Sequence, residues 1–120
     1  MKTIGIVGSR RRNTVKDYEI VEHTVFKVYE KGDRICSGGC PYGADDFADK
    51  IARATGIPII TFYAAWSKYG RGAGFVRNGD IANESDILIA CVAEDRKGGT
   101  EDTIKKFIKR GKSKNDLILV

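Results

Sequence analysis

Short, unbroken apolar runs alternate along this chain with segments whose apolar residues return every third or fourth position. Ile4-Gly5-Ile6-Val7 is the first run, ending at Gly8-Ser9, and reads as a buried strand. Tyr18, Val21, Val25 and Val28 then recur at helical spacing. Thr14, with Asp17 three residues on, resembles a capping signal, and Gly32 closes that helix. Arg34-Ile35-Cys36-Ser37 is a second strand. Ala44, Phe47, Ala48, Ile51 and Ala52 form one face of an amphipathic helix that Gly56 stops. Pro58 to Tyr63, β-branched and aromatic, is a third strand. Residues 64–74 carry Trp66, Tyr69, Arg71 and three glycines and read as a mobile loop. A helix follows over Phe75–Glu84, with Gly79 as its weak point. Ile87 to Val92 is apolar throughout and predicts a central strand buried on both faces. After a polar loop from Glu94 to Gly99, Ile104, Phe107 and Ile108 mark a last helix stopped by Gly111, and Leu117 to Val120 makes a closing strand.

The order is β-α-β-α-β-α-β-α-β. Such alternation predicts a three-layer α/β domain, a five-stranded parallel sheet with helices on both faces. Right-handed crossovers reduce the topologies to a few, of which the Rossmann-like order 3-2-1-4-5 is expected. The length of 120 residues suits one domain with its own core, spanning 1–120. With 42% hydrophobic and 31% charged residues, the composition is that of a folded domain, not a disordered segment. No apolar stretch reaches the length of a membrane span, and the chain opens directly into a strand-like run. The expectation is a cytoplasmic protein without a membrane partner.

The three cysteines, Cys36, Cys40 and Cys91, show no C-x-x-C spacing, and His23 is the single histidine. Neither a zinc site nor a disulfide framework is expected. Cys36 and Cys91 lie in apolar runs and read as buried thiols, whereas Cys40 sits in a glycine-rich turn. The net charge of +5 is concentrated in two places: Arg10, Arg11 and Arg12, and the run Lys105, Lys106, Lys109, Arg110, Lys112 and Lys114. Clusters of this kind form solvated faces or meet phosphate-bearing partners.

In an open parallel sheet, ligands bind beyond the carboxyl ends of the strands. Three glycine-bearing turns fall there: Gly8-Ser9-Arg10, Ser37-Gly38-Gly39 with Gly43, and Gly98-Gly99-Thr100. Each follows a strand and precedes a helix, where free amides and the helix dipole favour an anion. No G-x-G-x-x-G follows the first strand and no G-x-x-x-x-G-K-[ST] occurs, so neither the standard dinucleotide fingerprint nor a Walker A loop is present and no cofactor is implied.

G-S-R after the first strand, S-G-G-x-x-x-G-A-D before the second helix, then W, R-N and G-G-T in that order resemble the SLOG superfamily, in particular its YspA-like branch. DprA and the LOG-type phosphoribohydrolases are relatives within that superfamily. The likeness runs from Ile4 to about Ile108. It implies a nucleotide or nucleotide-derived ligand at the strand ends, held by Gly8, Ser9 and Arg10, by Ser37, Gly38, Gly39 and Gly43, and by Gly98, Gly99 and Thr100. Asp45 would meet a ribose hydroxyl or the first turn, or else simply stabilise its own helix N-terminus. Arg77 and Asn78 match the R-N pair; Arg77 would face the pocket or pair at the surface with Asp80 or Asp86. Thr100 is a candidate cap for the last helix. Trp66 and Tyr69 would stack on a base, or Trp66 would anchor its loop in the core.

LOG-type hydrolases carry P-G-G-x-G-T-x-x-E. Aligning the Gly-Thr pairs puts Thr103 at the glutamate, and Lys97 rather than a proline precedes Gly98-Gly99. Glu101 and Asp102 fall one or two places early, and one place on a helix turns a side chain by about 100°. Cleavage of an N-glycosidic bond needs a carboxylate near the developing positive charge. Asp45, Arg77, Glu101 and Asp102 are therefore the candidate catalytic residues, for a protein that binds a nucleotide as a sensor or hydrolyses it weakly. The alternative is single-stranded DNA binding like that of DprA, suggested by the basic clusters. Exposed apolar residues on the third helix would suit a homo-oligomer.

Overall fold

The computed structural model describes residues 1–120. Five parallel strands, β1 (Thr3–Gly8), β2 (Arg34–Gly38), β3 (Ile59–Phe62), β4 (Ile87–Cys91) and β5 (Leu117–Leu119), form one sheet in the order β3-β2-β1-β4-β5. The connections carry α1 (Val15–Val28), α2 (Ala44–Thr55), a one-turn α3 (Trp66–Tyr69), α4 (Ala73–Glu84) and α5 (Gly99–Lys109). The expected α/β architecture and strand order are both observed. No helix is long and apolar enough to cross a membrane.

Alternation along the strands sorts the core into two layers. Ile4 and Ile6 of β1, Ile35 of β2, and Ile89 and Cys91 of β4 pack on one face against Val21 and Val25 of α1 and Phe47, Ala48 and Ile51 of α2. The intervening residues, Val7, Cys36, Leu88 and Ala90, point to the other face and meet Ile81 and Ala82 of α4 and Ile104 and Phe107 of α5. Side chains of a strand alternate between faces, so a strand buried on both must be apolar throughout, as β4 is.

The helix ends obey local chemistry. Thr14 and Asp17 form a full capping box: the Thr14 hydroxyl accepts from Asp17 N, and the Asp17 carboxylate accepts from Thr14 N. Gly56 takes the left-handed C-cap of α2 as expected. Gly32 does not close α1, which ends at Val28. It belongs instead to the following turn, where buried Asp33 accepts from Glu30 N, Lys2 N and Lys2 Nζ at 2.9, 2.8 and 2.7 Å. The stretch 64–74 is not an irregular loop. Lys68 N and Tyr69 N both return to Ala65 O to make α3, a 3-10 turn follows over Gly70–Gly72, and α4 starts at Ala73. None of residues 66–72 is buried, so no apolar periodicity marks these turns in the sequence.

Burial works against ionisation of Asp33, but the hydrogen bonds from Lys2 and Glu30 outweigh it and hold the carboxyl at about 2, below its ordinary value of about 3.9. Both folded and unfolded chains carry the charge above that ordinary value, where the full stabilisation is present. Acidification from about pH 4 toward 2 protonates the unfolded chain first and removes it. Asp33→Asn is expected to cost about 2 kcal/mol at pH 7 and to flatten the fall in stability over that acid window, as read by urea unfolding at a series of pH values. Burial raises the Cys36 thiol to about 11, against a smaller opposing effect of Ser85 Oγ 3.3 Å away, and also raises that of Cys91. A disulfide-exchange reagent at pH 8 should therefore label one thiol rapidly in the native protein, Cys40, and three after denaturation.

Candidate functional site

The order of strands reverses between β1 and β4, and their following segments leave in opposite directions. At their carboxyl ends opens a cavity of about 440 Å³, within the range of about 300–1,000 Å³ typical of small-molecule sites. The first turn is welded to β4: Ser9 N donates to Cys91 O at 2.9 Å, while Ser9 O and Ser9 Oγ accept from Arg12 N and Arg11 N.

Three consecutive arginines then take three different roles. Arg12 turns inward, donating to Asp17 Oδ1 at 2.8 Å, Val92 O at 2.8 Å and Val120 O at 3.1 Å, so it ties α1 to the ends of β4 and β5. Arg11 forks onto Asp95 at 2.9 and 2.7 Å and reaches Lys97 O, fixing the β4–α5 loop. The hydrogen bonds from that guanidinium hold Asp95 below the usual carboxylate range. Arg10 makes neither kind of tie and stands exposed on the cavity wall.

The second turn is partly tied from within, although the amides of Gly39, Ala44 and Asp45 have no protein acceptor. Asp45, in the first turn of α2, accepts from Gly38 N at 3.3 Å and Cys40 N at 3.0 Å, and Ser37 Oγ lies 2.9 Å from it. Gly43 N donates to Asn13 Oδ1 at 2.8 Å. Ser37, Gly38 and Gly43 thus sit behind the cavity; the turn presents Cys40, Tyr42 and Asp45 to it instead. Asp45 reaches neither the first turn nor open solvent alone: its oxygens organise the second turn. One glycine here is required by its backbone, and a second is covered by side-chain ends. Gly43 has φ +69° and a Cβ would lie 2.9 Å from Ser9 O; at Gly38 a Cβ would lie 2.6 Å from Arg77 Nη1 and 2.7 Å from Asp45 Oδ2.

The third turn is different. Gly98, not Thr100, is the N-cap of α5, with no side-chain cap bond. The amides of Gly99 and Thr100 have no protein acceptor, and neither does the Thr100 hydroxyl, although Thr100 is only 8% exposed and lines the cavity. These are the open donors that a helix N-terminus offers an anion.

Arg77 faces the cavity and lies over Gly38, its Nε donating to Asn78 Oδ1 at 3.2 Å; neither Asp80 nor Asp86 pairs with it. Asn78 is buried and bridges α4 to α5 through Gly99 O at 3.3 Å and Asp102 Oδ2 at 3.1 Å. Glu101 is occupied by the Arg96 fork at 2.8 and 2.9 Å, and Asp102 by Asn78 and Lys106. Neither carboxylate lines the cavity, whereas Thr103 does. Trp66 does not anchor a loop in the core: it is 60% exposed and forms part of the rim, while Tyr69 stays outside.

The wall carries Arg10, Arg11, Arg71, Arg77 and Lys97 against a single carboxylate, Asp45. Tyr42 and Phe75 were not legible as lining residues. Nothing in their local pattern distinguishes them from ordinary exposed aromatics; the crossing of α2, α3 and α4 brings them here. No protein-family model matches this sequence, and no curated protein matches it.

Gly43→Ala should lose about 1–3 kcal/mol from its backbone conformation alone, read by urea unfolding. Gly99→Ala, where the nearest atom to a new Cβ is 3.8 Å away and φ is ordinary, should stay within about 1 kcal/mol. Equal losses at the two positions would contradict these distinct roles.

Proposed function

We propose that this chain binds a nucleotide or nucleotide-derived ligand in the cavity at the carboxyl ends of β1, β2 and β4, and that it does so as a receptor. The observation that carries this reading is the meeting, in one cavity, of the open Gly99 and Thr100 amides, the unpartnered Thr100 hydroxyl and the cations Arg10, Arg71, Arg77 and Lys97, none of them in an ion pair. Charge-assisted hydrogen bonds of this sort are strong, and fixed donors lose little on binding. Exposed Trp66, Tyr42 and Phe75 offer flat apolar surfaces beside the cations, as a base on a phosphorylated sugar requires. The resemblance of the turn motifs to the SLOG superfamily points the same way.

Binding is favoured over hydrolysis because the wall has one carboxylate, and Asp45 already accepts two amide hydrogen bonds from its own turn. Binding of single-stranded DNA is less well supported. The run from Lys105 to Lys114 follows α5 away from the cavity. Part of it is also occupied, Lys106 Nζ on Phe75 O and Asp102, Lys112 Nζ on Asn83 O and Ser85 O.

Thermal unfolding with common nucleoside mono- and diphosphates provides the test. A true ligand at a hundredfold its Kd should add about 2.7 kcal/mol of stability. Arg10→Ala should weaken that ligand by roughly tenfold or more, and Gly99→Asp should abolish binding by placing a negative charge among the amide donors, with both variants folded. No shift with any of these nucleotides, or a shift untouched by Arg10→Ala and Gly99→Asp, would overturn the assignment. Release of free base during incubation would establish hydrolysis and overturn the receptor reading.

A further inference from the structure

The proposed binding cavity has a neighbour. A second cavity of about 350 Å³ adjoins it on the side of β2 and β3, and the two share Arg10, Cys40, Tyr42, Trp66 and Arg77. The shared residues make a junction with two cations, neither of them in an ion pair, flanked by two aromatic rings. Beyond the junction the second cavity is walled by Gly39, Pro41, Tyr63 and Ala64, with no acidic side chain.

Tyr63 is 74% exposed, yet its ring lies so close over Gly39 that a Cβ there would fall 2.2 Å from the ring. The ring thus stands beside the Gly39 backbone, in a pocket whose other flat surfaces are Tyr42 and Trp66. Such surfaces stack on any base, because every base has a π face. The open amides of α5 lie on the first cavity alone. A ligand confined to that cavity would leave Tyr63 and the second cavity unused.

We propose that the two cavities form one bipartite site for a dinucleotide: two nucleoside halves joined through a diphosphate that spans Arg10 and Arg77. The diphosphate also meets the Gly99 and Thr100 amides, one base lies beside Phe75 in the first cavity, and the other stacks against Tyr63. This inference rests on the nucleotide-binding reading and narrows it to a ligand class. Two guanidinium groups without carboxylate partners match the two negative charges of a bridging diphosphate, and guanidinium forks suit phosphate oxygens.

Calorimetric titration of the full chain with AMP, ADP and diadenosine diphosphate, and with the three guanosine counterparts, tests it. In one series the dinucleoside diphosphate should bind at least tenfold more tightly than the matching nucleoside diphosphate. Tyr63→Ala should erase that gain without changing affinity for the nucleoside diphosphate, and Tyr63→Phe should keep it. A dinucleoside diphosphate that binds no more tightly than the nucleoside diphosphate, or a gain that survives Tyr63→Ala, would overturn the bipartite site and leave the nucleotide reading intact. Failure of all six compounds to bind would remove both.

Discussion

Parallel pairing of β1 with β4, from Ile4 opposite Ile87 to Gly8 opposite Cys91, is the constraint on which the rest of the molecule depends. The chain leaves β1 toward β2 on one side and leaves β4 toward β5 on the other. Right-handed crossovers then place α1 and α2 on one face of the sheet and α4 and α5 on the opposite face. Two neighbouring strands whose following segments diverge must part at their carboxyl ends, and the cavity is that parting. The Ser9 N–Cys91 O bond and the Arg12 ties to Val92 and Val120 keep its floor rigid.

Within that frame, similar sequence features meet different fates. The second and third glycine turns both precede a helix, but the Asp45 carboxylate accepts from Gly38 N and Cys40 N of the second, while Glu101 and Asp102 are held by Arg96, Asn78 and Lys106 and accept from neither Gly99 N nor Thr100 N. A carboxylate that folds back onto its own turn occupies the place an external anion would take. The electropositive seat of the proposed site therefore lies at α5, and α2 contributes only Asp45 to the wall. The three arginines after β1 divide in the same manner: two are spent on architecture and Arg10 is left unpaired on the cavity wall.

The surplus of cations also bears on stability. Arg10, Arg71, Arg77 and Lys97 line one cavity, and like charges gathered in this way work against the compact state. A bound phosphate group would relieve that repulsion while filling the open donors, so ligand and fold would be coupled through the same few side chains. Lys106 and Lys112 carry no such tension, because Lys106 Nζ meets Phe75 O and Asp102 and Lys112 Nζ meets Asn83 O and Ser85 O.

The sequence by itself determined the element order, the sheet topology, the apolar identity of β4, the capping box at Thr14 and the sheet edge at which the glycine turns fall. All of these depend on periodicity or on contacts a few residues apart, which a linear pattern records. It did not determine α3, because none of that turn is buried and burial is what imposes periodicity. Only the tertiary structure decided which of three adjacent arginines stays unpaired, that Asp45 is consumed internally, that Glu101 and Asp102 do not line the cavity, and that Trp66 stands at its rim with Tyr63 in the adjoining one. The arginine outcome depends on Asp95, Val92 and Val120, remote in sequence, whereas Asp45 and Glu101 meet partners a few residues away at spacings that no helical or strand period marks.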